Sequence, residues 1–206
     1  MANDVTTTRP EYDKANAWRW PMVRDICAGS EAVKAKGDAY LPRPNATDKS
    51  AENLARYTSY LARAVFYNAT GRTRDGLIGA VYRLDPSLTV PTGMDYIKKD
   101  IDGAGNSIYQ QSQAVLGDVL ETGRAFLLTD YPSVSGSTSR LDQQSGGIRA
   151  TVTSYPAESV INWRTERVGA DHLLSLVVLK EHHEQPDGYG LKCVDQYRVL
   201  SLGIPL

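Results

Sequence analysis

The chain has 206 residues, of which 41% are hydrophobic and 23% are charged. This composition is that of a globular protein that is long enough to bury a core as one domain or as two small ones. Its 23 Lys and Arg residues nearly balance its 24 Asp and Glu residues, so the formal net charge is -1. This balance argues against a domain whose whole surface binds phosphates, although it allows a local basic patch.

The cysteine and hydropathy patterns exclude further classes of protein. Cys27 and Cys193 are far apart and form no CxxC pair, which argues against a disulfide scaffold or a zinc ribbon. The first twenty residues contain no apolar signal core, and no later apolar run approaches the roughly 20 residues that span a bilayer. We therefore expect a cytoplasmic product with reduced thiols and no membrane contact.

Short helices joined by loops are predicted for residues 1–49. Pro21 begins a helical segment that ends at Gly29, and a second turn ends at Gly37. The following stretch, YLPRPNATDKS, contains two prolines and several turn-forming residues, so it is predicted to be a loop. We interpret residues 1–49 as an N-terminal arm of extended chain and short helices.

A longer helix is predicted from about Ser50, because apolar residues recur there at helical spacing. The glycines at positions 71 and 76 then interrupt the pattern, so the segment LIGAVYRL is predicted to be a helix end or a strand. Rings and guanidinium groups on such a helix occur in cores and at subunit contacts alike. The apolar face comprises Leu54, Tyr57, Leu61, Ala64 and Val65.

The rest of the chain is predicted to be a helix followed by consecutive strands. Apolar spacing predicts a helix from about Asn106 to Thr122, ended by Gly123, and the segment AFLLTDYP is strand-like. Residues 133–149 are rich in Ser, Gly and Gln and are predicted to be a mobile loop. Four later segments, separated by turns at 155–157 and 185–188, have strand character: TVTSY, SVINWRT, HLLSLVVLKE and LKCVDQYRVLSL. Helices followed by a mostly antiparallel sheet of consecutive strands define an α+β fold.

Of all stretches in the sequence, residues 98–111, KKDIDGAGNSIYQQ, most resemble a ligand-binding loop. As a calcium loop it would place Asp100 and Asp102 at the first and third positions. However, Ala104 occupies the place of an oxygen ligand, and Gln111 that of the bidentate Glu. The third glycine of a dinucleotide-binding loop is also missing. We therefore interpret the stretch as a turn whose polar residues cap the next helix, with Asp102, Asn106 and Ser107 as candidates.

The usual signatures of catalysis are missing from the sequence. His182 and His183 are adjacent, so on a strand they point to opposite faces and do not readily share a metal. Glu181 and Glu184 beside them are interpreted as a solvated strand end. The spacing Gly71–Gly76 lacks the lysine of a phosphate-binding loop, and no serine lies in a Gly-x-Ser-x-Gly elbow. We expect neither enzymatic activity nor a cofactor.

A series of short motifs follows a characteristic order along nearly the whole chain. The motifs resemble those of the N-terminal, wing-containing half of the portal proteins of tailed bacteriophages, and they include no catalytic signature. They are Pro10-Glu11-Tyr12, Trp18, Arg24-Asp25, Gly29, Gly37-Asp38-Ala39-Tyr40-Leu41-Pro42, Tyr60-Leu61-Ala62-Arg63-Ala64, Phe66-Tyr67-Asn68, Gly71-Arg72-Thr73, Gly76-Leu77-Ile78-Gly79, Asp100-Ile101-Asp102-Gly103 with Gly105, Gly123-Arg124, Asp130-Tyr131-Pro132, Tyr155-Pro156-Ala157-Glu158 and Ile161-Asn162-Trp163-Arg164.

The resemblance implies a structural virion protein that forms a ring of identical subunits, usually a dodecamer, beside the major capsid protein at one capsid vertex. Double-stranded DNA passes through such a ring without sequence specificity. The terminase docks on it during packaging, and neck or tail adaptor proteins replace the terminase afterwards. Residues 50–206 would form a wing-like α+β domain. Portals are usually about twice as long, so we expect a fragment that lacks the stem and clip.

Within such a ring, Tyr57, Tyr60 and Arg63 are candidate subunit contacts, with core packing and solvation as the alternatives. Assembly would take place in the host cytoplasm before the ring becomes part of the virion. Two other classes stay open, namely a monomeric adaptor or accessory virion protein and a small metal- or nucleotide-binding module. Candidates for contact with DNA, with solvated surface charge as the alternative, are Arg72, Arg74, Lys98 and Lys99.

Overall fold

The computed structural model describes residues 4–15, 17–133 and 148–203. The chain divides into two compact units: one comprises Met1–Trp18 and Leu88–Leu206, and the other comprises Arg19–Ser87. We call the first the sheet unit and the second the helical unit. The predicted division into an arm and a wing-like domain concerns portal architecture and stays a prediction.

Within the described residues the chain forms six α-helices and five β-strands. The helices are α1 (Pro10–Lys14), α2 (Trp20–Ala28), α3 (Ser30–Ala35), α4 (Ala51–Arg63), α5 (Ala69–Val81) and α6 (Ile108–Thr122). The strands are β1 (Ala125–Asp130), β2 (Thr151–Pro156), β3 (Val160–Val168), β4 (Asp171–Asp187) and β5 (Gly190–Ser201). The predicted α+β fold is confirmed, because the helices precede strands that pair only with their neighbours in sequence, all antiparallel.

Helices α2 and α5 of the helical unit approach each other closely at Gly71. A Cβ atom at this position would lie 2.7 Å from the backbone oxygen of Cys27. Asn68 accepts a hydrogen bond from the Gly71 N–H at 2.8 Å and donates one to the Cys27 carbonyl at 3.0 Å. One side chain thus caps the start of α5 and the end of α2. The glycines of α5 therefore do not interrupt the helix, and LIGAVYRL contains the helix end, which is one of its two predicted states.

Helix α4 begins as the sequence predicts. The Oγ of Ser50 accepts a hydrogen bond from the Asn53 N–H at 3.2 Å, so Ser50 is the N-cap. The helix ends at Arg63, which places Val65 of the predicted apolar face beyond it. The loop predicted before α4 is also confirmed, since residues 42–50 contain no helix or strand.

The strands of the sheet unit form two sheets. One contains β1 and β2, and the other has the order β3-β4-β5. The ring of Phe126 on β1 lies 6.0 Å from that of Trp163 on β3, which links the two sheets. Helix α6 packs on the smaller sheet, where the Gln111 side chain donates to the Val152 carbonyl at 2.5 Å. Buried residues of this unit include Ile101, Ala157, Val160, Ile161, Val178 and Leu179.

Strands β4 and β5 extend well past their neighbour. Strand β3 pairs with β4 only as far as Leu179, whereas β4 and β5 stay paired to the Asp187–Gly190 end. Residues 182–195 therefore form a two-stranded ribbon, which we call the hairpin arm. Its turn is Gly188-Tyr189, slightly later in the chain than predicted, and Tyr189 is fully exposed.

Two sequence expectations concern flexibility and membranes. The loop predicted over residues 133–149 lies almost wholly outside the described residues. Among the helices described, none is both long enough and apolar enough to cross a bilayer.

Candidate functional site

Tyr57 lies in the core of the helical unit. Its side chain is 9% exposed, and its hydroxyl donates a hydrogen bond to the Leu41 carbonyl at 2.8 Å. The Arg43 guanidinium lies 5.2 Å from the ring centroid. Burial raises the pKa of the Tyr57 hydroxyl. These contacts give Tyr57 a packing role within its own unit.

Tyr60 and Arg63 are more accessible than Tyr57. The Tyr60 ring lies 6.1 Å from that of Tyr57 and is 38% exposed. Arg63 is exposed, and its Nε donates to the Ser59 carbonyl at 3.2 Å in the last turn of α4. Both side chains can therefore contact another molecule, and their role at a subunit interface stays a prediction.

Helix α5 carries apolar residues on two neighbouring faces. Gly71, Arg74 and Ile78 are buried or half-buried at spacings of three and four residues, and they form the inward face. Leu77 and Val81 lie one turn apart on another face, and Val81 is 62% exposed. Leu84, just past the helix end, is 74% exposed. We call Leu77, Val81 and Leu84 the α5 stripe.

The segment between α4 and α5 is a second exposed apolar feature of the helical unit. Val65 is 93% exposed there, and Tyr67 is also exposed. The guanidinium of Arg72 lies 5.3 Å from the Tyr67 ring centroid, which holds that ring at the surface by a cation–π contact. The sequence contained a signal for these surfaces, since a helix that is apolar on more than one face needs more than one packing partner.

The four basic residues predicted to face DNA are distributed over both units. Arg74 is half-buried and pairs with Asp75 at 2.8 Å, while Arg72 stacks on the tyrosine described above. Lys98 and Lys99 lie in the sheet unit, in and after a 3-10 turn over Asp95–Lys98, and Lys98 pairs with Asp95 at 3.0 Å. Contact of any of these residues with DNA stays a prediction.

The two units carry opposite net charges. The helical unit contains 11 Lys and Arg residues and 7 Asp and Glu residues, which gives a formal charge of +4. The sheet unit contains 12 basic and 17 acidic residues, which gives -5. The near-neutral charge of the whole chain therefore conceals a strong internal asymmetry.

The loop over residues 100–106 is a turn in which the carboxylates bind their own backbone. Asp100 accepts hydrogen bonds from the N–H groups of Gly103 and Gly105 at 2.8 and 3.0 Å, and its other oxygen pairs with Arg149. The Gly105 bond, more than any other lowering contact, holds the pKa of Asp100 below its usual range. Asp102 likewise accepts from the Ala104 N–H at 2.9 Å.

The capping residue of α6 is Ser107, one of the three candidates. It forms a capping box with Gln110, in which each side chain bonds the backbone of the other residue. The interpretation of this stretch as a turn and helix start is therefore confirmed. Within the described residues there is no cluster of three or more His, Cys, Asp or Glu side chains able to hold a metal ion.

Glu181 is not at a solvated strand end, and this part of the sequence interpretation was wrong. Its side chain is 12% exposed and accepts hydrogen bonds from the Tyr155 hydroxyl at 2.6 Å and from Gln196 at 2.9 Å. Arg198 pairs with it at 3.0 Å. Burial opposes ionisation, but these three partners together hold the pKa of Glu181 below its usual range. Burial and the hydrogen bond to Glu181 raise the pKa of Tyr155 to about 12. These contacts join β2 of the smaller sheet to β4 and β5 of the larger one, and we call the four residues the Glu181 clamp.

A cleft of ≈ 390 Å³ lies in the sheet unit between the N-terminal segment and the larger sheet. Val5, Val178 and Val199 contribute apolar walls. Two of its three charged wall residues form ion pairs on their own elements, Glu11 with Lys14 and Arg164 with Glu166. The third, Asp4, accepts a hydrogen bond from the Thr6 N–H at 3.0 Å. The cleft thus offers apolar packing space, while the charges of Glu11 and Arg164 are already paired with neighbouring residues.

Comparison with protein-family models gives no match, and comparison with proteins of curated function gives none either. The function must therefore be inferred from the residues and surfaces of the chain itself.

Proposed function

We propose that this chain is a subunit of the ring-shaped portal of a tailed bacteriophage. The ring would conduct double-stranded DNA into and out of the capsid, contact the major capsid protein, and bind the terminase and later the neck or tail proteins. The role is structural, without catalysis or a cofactor. The observation that carries the proposal is the apolar surface that the helical unit leaves uncovered.

Val65, Val81 and Leu84 expose most of their surface in a unit of only 69 residues, Arg19–Ser87. Burying a side chain of this size stabilises a protein by about 1.5–3 kcal/mol relative to exposing it. Exposed apolar residues that lie one turn apart, as Leu77 and Val81 do, can form an interaction site, and interfaces in homo-oligomers are more apolar than the remaining surface. In an oligomer of identical subunits, every copy can bury this apolar surface against a neighbouring copy.

The ordered series of motifs that resembles portal proteins supports the particular kind of oligomer. Many of its members occupy structural positions in this fold, among them the Asn68 cap, the Gly71 helix contact and the Asp100 loop. A near-neutral chain also fits a conduit, because a strongly basic channel would hold the sliding duplex.

The direct test is the particle mass of the purified chain by light scattering, with negative-stain images of the same sample. We expect ring-shaped particles, because heterologous contacts can close into a ring, and about a dozen copies in each, as the resemblance to portal proteins implies. Particles that remain monomeric at every protein concentration would contradict the proposal and favour an accessory virion protein. A rise in melting temperature with calcium or ATP would instead indicate a metal- or nucleotide-binding module, since a ligand of the native state stabilises it.

A further inference from the structure

We propose that neighbouring copies contact each other head to tail, with the α5 stripe of one copy docking on the acidic sheet unit of the next. The inference rests on the proposed ring and adds to it which surface is buried and what it meets. It is carried by two independent observations, the uncovered face of α5 and the opposite charges of the two units.

The apolar contribution comes from Leu77 and Val81. They lie one turn apart on α5, and their side chains are 49% and 62% exposed. About half or more of each side chain is therefore left exposed by the helical unit.

The charge contribution comes from the net charge of the whole helical unit, +4. Residues 52–85 contain five arginines and three acidic residues, Glu52, Asp75 and Asp85. If the stripe of one copy met the stripe of another, two units of charge +4 would be brought together. Contact with the sheet unit brings +4 against -5 instead, which favours encounter and disfavours the symmetric alternative.

This polarity agrees with a ring. A contact between two different surfaces leaves a free copy of each surface at the ends of every dimer, so growth continues until the ring closes. A contact of one surface with itself stops at a dimer.

A basic surface also suits nucleic acid, but the stripe itself does not. Single-stranded nucleic acid stacks on aromatic rings, and duplex backbones are bound by cationic and polar groups. Leu77, Val81 and Leu84 supply neither, whereas aliphatic side chains of this kind are typical of the buried centre of a protein interface.

The first test compares two double variants that add equal negative charge to the helical unit. The first variant, Leu77→Asp with Val81→Asp, places the two negative charges in the α5 stripe. The control variant, Ala55→Asp with Ser59→Asp, places the same two charges one turn apart at exposed positions of α4. We expect the α4 variant to keep the wild-type particle mass and the stripe variant to remain monomeric, at least tenfold weaker in association, with an unchanged far-ultraviolet circular dichroism spectrum.

Other outcomes of this comparison separate the inference from the proposed function. A stripe variant that forms rings of wild-type mass would overturn the inference and leave the portal proposal intact. Loss of assembly in both variants would show that the net charge of the helical unit alone controls association between copies. This outcome would overturn the role of the stripe. A monomeric wild-type protein would contradict the ring and the inference together.

The second test identifies what the stripe touches. A photo-crosslinking amino acid replaces Leu84 in an equal mixture of light- and heavy-isotope chains, so that crosslinks between copies carry mixed labels. We expect mixed-label peptides that join position 84 to residues 88–203. Mixed-label crosslinks to residues 19–87, or crosslinks to added DNA in place of protein, would overturn the head-to-tail contact.

Discussion

At the residue scale, Asn68 shows how much one short polar side chain can do. It satisfies one free N–H in the first turn of α5 and one free carbonyl in the last turn of α2 at the same time. Both groups belong to helix ends, which otherwise depend on water or other caps. Gly71 complements it, because only a residue without a side chain lets the two backbones approach so closely.

We predict opposite effects for alanine at two glycines of the same helix. Gly71→Ala places a Cβ 2.7 Å from the Cys27 backbone oxygen, and overpacking of this kind costs about 1–3 kcal/mol of unfolding free energy. Gly76→Ala meets nothing within 4 Å and should stabilise by roughly 0.5–1 kcal/mol, because alanine favours the helix. Urea unfolding monitored by circular dichroism measures both. Equal effects would refute the close contact.

The pair Tyr155 and Glu181 makes stability depend on pH at both extremes. The pKa of Glu181 is lowered in the folded protein, so its contribution is present above its ordinary pKa and is lost as the pH falls through the folded value. The pKa of Tyr155 is raised from 10.0 to about 12, so its contribution is present below pH 10 and is lost as the pH rises toward 12.

We therefore predict that Tyr155→Phe destabilises the protein near neutral pH by roughly 1.5–3 kcal/mol, the range for a hydrogen bond to a charged group. The difference from wild type should stay constant between pH 6 and 9 and shrink between pH 10 and about 12, where Tyr155 ionises. Chemical denaturation across this pH range tests it. Tyr131→Phe is a suitable control, since Tyr131 is exposed. A difference that does not change above pH 10 would contradict the assignment.

At the scale of elements, the hairpin arm differs from the rest of its sheet. Residues 182–193 are all exposed, and the arm has no third strand beside it. A two-stranded ribbon is marginally stable in water by itself. Its order therefore depends on the sheet from which it extends and on the Glu181 clamp at its base.

We predict that backbone amides of the arm exchange with solvent at least about tenfold faster than those of β4 between Leu176 and Leu179, which have a strand on each side. Hydrogen exchange followed by mass spectrometry on monomeric protein measures this directly. Equal protection in the two segments would show that the arm is held by contacts other than those described here.

The elements that sequence predicts well are those whose ends have specific side-chain chemistry. Helices α4 and α6 begin at Ser50 and Ser107, and both serines form the expected caps. Helix α5 was harder to predict, because Gly71 and Gly76 resemble helix breakers until the close contact with α2 is known. The length of β4 was also missed, since Pro186 suggests a turn although it lies in the exposed ribbon.

At the scale of the whole molecule, the candidate site shows a different limit of sequence interpretation. Tyr57, Tyr60 and Arg63 were chosen by residue type, and type does not distinguish the buried Tyr57 from the partly exposed Tyr60. The exposed stripe of α5 was overlooked because Leu77 and Val81 look like core residues. The pairing of Glu181 with Tyr155 joins residues 26 positions apart, which local patterns cannot predict.

The opposite charges of the two units predict that assembly is sensitive to salt. Screening shortens the range of electrostatic attraction from about 10 Å at 0.1 M salt to about 3 Å at 1 M. We expect the dissociation constant between copies to rise about tenfold or more over this range. Light scattering at a series of sodium chloride concentrations measures it. Assembly that strengthens steadily with salt would mean that apolar burial alone drives the contact.

The two cysteines differ in exposure, so a thiol reagent should label the folded protein selectively at one of them. Cys27 is buried in the helical unit, whereas Cys193 is exposed on the hairpin arm. A maleimide dye should therefore label one position in each copy of the unmodified chain. Energy transfer between dyes on neighbouring arms would then report the spacing of copies around a ring, and its loss would report the ring's disassembly in real time.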